Sequence, residues 1–106
     1  MEATDHILQN MTERIVQTFD PIRVVLFGSR ARGDEHAGSD LDLLVVLPKV
    51  ENKREAAIAI RRLLRDVPIA KDIIVTSPQE IARRGNLVGS VLRPALREGR
   101  VLYERG

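Results

Sequence analysis

The sequence predicts an α/β fold of the α+β kind, a mixed β-sheet with helices packed on it, built as a single domain over residues 1–106. Short β-branched runs near 22–27, 40–47, 69–76 and 101–103 alternate with segments whose apolar residues recur at helical spacing. Val24, Val25, Leu26 and Phe27 leave the first run without a polar face, as expected of a central strand covered on both sides. Hydrophobic residues make up 43% of the chain and charged residues 30%, a balance that supports one core and argues against extended disorder. With Phe19, Phe27 and Tyr103 as the only aromatics, that core has to be built from Leu, Ile, Val and Ala.

Residues 5 to 19 place Ile7, Leu8, Met11, Ile15, Val16 and Phe19 on one helical face, with Thr4 or Asp5 as N-cap. Asp20-Pro21 stops this helix, because a residue before proline is pushed out of the helical region. The first strand follows at 22–27. Gly28 to Gly38 reads as a turn, and Asp40 to Leu47 as a second strand ended by Pro48. Alternation puts Asp40, Asp42, Leu44 and Val46 on one face of it, and Leu41, Leu43, Val45 and Leu47 on the other.

A second helix over 52–66 buries Ala56, Ala57, Ile60, Leu63, Leu64 and Val67, leaving Lys53, Arg54, Arg61, Arg62 and Arg65 as a solvated face. Val67-Pro68 breaks it. A third strand, 69–76, turns Asp72, Ile74 and Thr76 to one side. Ser77-Pro78-Gln79-Glu80 is a helix start, with Ser77 as cap, Pro78 at the first position and Glu80 placed for a capping box. Residues 87–98 are helical by spacing, kinked or split at Pro94, and Val101-Leu102-Tyr103 forms a last, edge strand.

The chemistry concentrates at Gly28-Ser29 and at three aspartates. A carboxylate on a half-buried strand loses hydration, and several together repel one another unless a cation or basic side chains compensate. Asp40, Asp42 and Asp72 therefore form a candidate site for Mg2+, a hard cation that prefers carboxylate oxygens and shares its shell with substrate phosphates. The absence of cysteine and of a histidine pair at ligand spacing argues against zinc, and His6 and His36 read as surface residues. Gly28 and Ser29 follow a buried strand, where turn N–H groups and a hydroxyl can face a phosphate. Arg30 and Arg32 add charge-assisted donors beside them.

Gly28-Ser29, ten intervening residues and Asp40-Leu41-Asp42 resemble the signature of the polymerase beta nucleotidyltransferase superfamily. The wording Gly28-Ser29-Arg30-Ala31-Arg32-Gly33 and the terminal Glu98-Gly99-Arg100-Val101-Leu102-Tyr103 are most similar to the minimal nucleotidyltransferases, over roughly residues 22 to 104. The resemblance implies a palm-like fold and transfer of a nucleoside monophosphate from a nucleoside triphosphate such as ATP to a hydroxyl. It further implies that Asp40, Asp42 and Asp72 bind two Mg2+ ions, and that Gly28 and Ser29 hold the β and γ phosphates. Members of this kind pair with small helical HEPN proteins. In such a pairing the transferase resembles an antitoxin that adenylylates a tyrosine of the partner ribonuclease.

The runner-up reading is a non-catalytic nucleotide-binding module that neutralises a partner by occlusion. A third, a nucleic-acid-directed protein, is disfavoured by a net charge of +2 and the scarcity of aromatics for stacking. No stretch approaches the ~18 apolar residues of a membrane span, and no leader pattern is present, so the expected location is cytoplasmic.

Overall fold

The β-branched runs become the strands and the segments at helical spacing pack on them. The computed structural model describes residues 3–27, 41–84 and 99–105. In chain order the elements are α1 (Ala3–Phe19), β1 (Arg23–Phe27), β2 (Leu41–Val46), α2 (Lys53–Leu63), β3 (Lys71–Thr76), α3 (Pro78–Arg84) and β4 (Arg100–Glu104). The expected helix across 87–98, with Pro94, lies outside the described residues. The strands form one sheet in the order β3-β2-β1-β4, antiparallel except for the parallel pair β2 and β3. The sheet is thus mixed, β1 is central and β4 is an edge, as the sequence predicts.

Alternation along the strands builds two unequal apolar layers. Leu41, Leu43 and Val45 join Val24, Leu26, Ile73 and Val75 against Leu8, Met11 and Ile15 of α1 and Ile60 of α2, with Leu64 just beyond it. Val25, Leu44 and Val46 face the other way, where Phe27, Ile74 and Ile81 of α3 partly cover them. Among the described residues the first layer holds most of the buried volume. Each fully buried aliphatic side chain there contributes about 1.5–3 kcal/mol of transfer free energy.

Local chemistry sets the element ends. Asn52 caps α2, its Oδ1 accepting from the Glu55 N–H at 3.1 Å. Helix α2 stops at Leu63, short of the Val67-Pro68 break, because the Leu64 N–H bends back to Ile60 and Arg61 carbonyls in a final tightened turn. Helix α1 starts at Ala3, so Thr4 and Asp5 lie in its first turn rather than ahead of it as caps. Its end falls before Asp20-Pro21, as expected. Asp20 leaves the helical region for the left-handed one, with φ 49°, and its N–H donates to the Val16 carbonyl at 3.0 Å. Aspartate is among the few non-glycine residues that enter this region routinely, and Arg105 holds it there, donating to its carbonyl at 2.6 Å and meeting its carboxylate at 3.0 Å.

Strand β4 carries a second departure from simple alternation. Its register on β1 shifts between Val24 and Val25, pairing Tyr103 with Val24 and Val101 with Val25. The bulge leaves Leu102 as the extra residue, so Leu102 and Tyr103, neighbours in sequence, both pack on the main layer while Val101 is exposed.

Arg14 of α1 grips Asp66, in the turn after α2, through two hydrogen bonds of 2.7 and 3.1 Å. Those hydrogen bonds hold the Asp66 carboxyl below the usual carboxylate range, against a smaller opposing effect of desolvation. A depressed acid stabilises the folded state above its unfolded pKa and stops doing so as pH falls through the folded one. Asp66→Asn should therefore melt slightly below wild type at pH 7, and the two melting curves should converge as pH falls below about 4. Replacing fully buried Ile60 by alanine should lower the unfolding free energy by about 2–5 kcal/mol in urea titrations, the usual range for emptying such a site.

Candidate active site

Strands β2 and β3 begin alike: Leu41-Asp42-Leu43-Leu44-Val45 and Lys71-Asp72-Ile73-Ile74-Val75. They pair parallel and residue for residue, so Asp42 stands directly beside Asp72. Register neighbours on adjacent strands share a face, and the strands are about 4.8 Å apart. Two carboxylates are thereby brought together from positions thirty residues apart in the chain. Phe27, at the end of β1, is the partner of Asp42 on its other side. The pair thus sits at one corner of the sheet, where β1 ends and β2 and β3 begin. It lies on the face of the smaller apolar layer, over which Leu44 and Ile74 follow two residues along.

Burial grades across the pair. Asp42 is half-buried in the interior strand, and Asp72, on an edge strand, has a side chain 53% exposed. Arg61 of α2 reaches Asp72, its Nη2 donating to Oδ1 at 3.0 Å. The sequence places Arg61 on a solvated face, and nothing in a helical pattern marks which of several arginines turns back to the sheet. Only the packing of α2 beside β3 reveals it.

The far end of β3 is braced separately. Thr76 is fully buried, and its hydroxyl donates to Glu80 Oε1 at 2.6 Å. Glu80 also pairs with Lys53 at the start of α2, and its N–H donates to Ser77 Oγ at 3.3 Å, which is the predicted cap of α3. One carboxylate thus ties β3, α2 and α3 together. The Ser-x-x-Glu spacing reveals the cap, but the Thr76 and Lys53 contacts carry no local signal.

Of the residues singled out in the sequence, Asp42 and Asp72 are described and adjacent. Gly28, Ser29, Arg30, Arg32 and Asp40 lie outside the described residues. Among the described residues no group of three His, Cys, Asp or Glu comes together. The donor set at the corner is entirely carboxylate oxygen, which fits a hard divalent cation.

Residues 8–100 match the family model described as a nucleotidyltransferase domain. The chain belongs to the nucleotidyltransferase domain family. No curated protein matches this nucleotidyltransferase domain significantly in sequence. Among solved structures, it is similar to a Sulfolobus solfataricus protein provisionally named a nucleotidyltransferase, at 24% identity and a TM-score of 0.66, covering 94% of this chain and 79% of that one. It is also similar to a chain in a toxin-antitoxin crystal structure with AMP-PNP, at 18% identity and a TM-score of 0.55. A third is a chain of the toxin-antitoxin MntA-HpeT in mutant form, at 16% identity and a TM-score of 0.62. Each of these two covers 92% of this nucleotidyltransferase domain and is itself covered over 73%. At these identities the likeness concerns the fold, and the fold is that of nucleotidyltransferases.

The Thr76 hydroxyl is a buried donor to a carboxylate, an interaction stronger than a neutral hydrogen bond. Thr76→Val should cost about 1–3 kcal/mol of stability in urea unfolding, with Lys53→Met, at the exposed side of the same carboxylate, costing less.

Proposed function

We propose that this chain is a Mg2+-dependent nucleotidyltransferase that transfers AMP from ATP to a hydroxyl, a tyrosine of a HEPN-type partner toxin, and thereby acts as an antitoxin. The observation that carries the reading is the register of Asp42 with Asp72 in a chain of the nucleotidyltransferase family. Two further points support it. One similar structure is that of a toxin-antitoxin with AMP-PNP, an ATP analogue. The other is a MntA-HpeT mutant with two Asp→Glu substitutions two positions apart, the spacing of Asp40 and Asp42 here.

Asp40, Asp42 and Asp72 would hold two Mg2+ ions, which supply charge stabilisation for the attacking and leaving oxygens of an in-line displacement. Gly28, next in sequence after the end of β1, and Ser29 would bind the β and γ phosphates, with Arg30 and Arg32 donating to phosphate oxygens. The acceptor hydroxyl oxygen bonds to the α-phosphorus as the bond to the bridging oxygen breaks and pyrophosphate leaves. Asp72, the more exposed of the described pair, is reached from solvent, as a group taking the acceptor proton must be. No described helix is long and apolar enough to cross a membrane.

Incubation with labelled ATP, Mg2+ and the protein encoded by the adjacent gene should label that protein. The Asp40→Ala/Asp42→Ala variant should bring labelling to background, and labelling that survives it would falsify the mechanism. A double variant that no longer labels yet still inhibits the partner at full strength would instead assign neutralisation to occlusion.

A further inference from the structure

Arg61 is the α2 arginine that turns back to the sheet; Arg54, Arg62 and Arg65 make no ion pair among the described residues. Its guanidinium meets Asp72 through a single contact of 3.0 Å to Oδ1, so one carboxylate oxygen is engaged. Asp72 is the register neighbour of Asp42, and two carboxylates on adjacent strands repel one another. The ammonium of Lys71, next to Asp72 in the chain, is spent elsewhere, donating to the Val67 carbonyl at 3.1 Å. Arg61 is thus the basic group that meets the Asp72 side of this pair.

We propose that Arg61 is a built-in counter-ion for the carboxylate corner, a positioning residue that holds Asp72 when no divalent cation is bound and opposes the cation when it arrives. This rests on the reading that Asp42 and Asp72 hold a divalent cation. A guanidinium on one oxygen of Asp72 keeps that carboxylate in place without filling it. A divalent ion entering beside it meets both the attraction of the carboxylates and the repulsion of a positive charge a few ångströms away. In the water-exposed setting of a side chain 54% accessible, that repulsion weakens cation binding by about three- to ten-fold. The corner is thereby kept from tight cation binding until nucleotide phosphates add negative charge.

The test is Mn2+ titration of the intact chain without nucleotide, read by the electron paramagnetic resonance of free Mn2+, alongside melting curves in chelator and in Mg2+. Arg61→Gln should bind Mn2+ about three- to ten-fold more tightly than wild type. Arg61→Lys, which keeps the charge, should bind like wild type. In chelator Arg61→Gln should melt below wild type, and Mg2+ should raise its melting temperature by more than it raises that of wild type. A folded Arg61→Gln with unchanged or weaker Mn2+ binding overturns the role of Arg61 and leaves the metal reading standing. Wild-type protein that binds no Mn2+, or Asp72→Asn that binds as well as wild type, overturns the metal reading and this proposal with it. If Arg61→Gln does not fold, Arg61→Met carries the same comparison.

Discussion

The parallel pairing of β2 with β3 is the constraint on which the rest of the molecule depends. Parallel neighbours cannot be joined by a tight turn, so a crossover is needed, and α2 provides it. That crossover buries Ile60 and Leu64 against the side of the sheet carrying Leu43, Val45, Ile73 and Val75. The same register that aligns those aliphatic side chains on one face aligns Asp42 with Asp72 on the other. A slip by one residue would send every side chain of β3 to the opposite face, taking Asp72 under α2 and Ile73 and Val75 away from it. The core therefore enforces the position of the carboxylate pair.

The two faces divide the work of the sheet. Among the described residues, α1 and α2 serve the face with the larger apolar layer, where Met11, Ile15, Ile60 and Leu64 are fully buried. The other face has fewer described apolar residues and ends in two carboxylates whose proximity is costly without compensation. A fold carries such a local conflict when stability is supplied elsewhere, and functional sites are where such conflicts are expected. Arg61 relieves part of it from the helix side.

Around this centre, long-range contacts tie down the ends of the chain. Arg14 joins α1 to the turn after α2, Arg105 joins the end of β4 to the left-handed Asp20, and Glu80 joins β3, α2 and α3. These contacts run between elements rather than within one, which is why periodicity does not reveal them. Helical spacing identifies the buried stripes of α1 and α2 because burial there is a property of one element's own face. It misses the Leu102 bulge and the left-handed Asp20, since each is settled by what the strand or turn meets in space.

What the sequence by itself determined is the set of elements, the faces of β2 and β3, and the residue types suited to metal and phosphate. These follow from side-chain period and local chemistry, which act within a few residues. The family, too, is written in the chain, through Gly28-Ser29 spaced from an Asp-x-Asp pair. Only the tertiary structure decided that the mixed sheet runs β3-β2-β1-β4, that Asp42 and Asp72 are neighbours rather than merely similar, and that one arginine of α2 belongs to their corner. Strand order and cross-element contacts depend on how apolar faces are buried together, a property of the assembled core that no single segment contains.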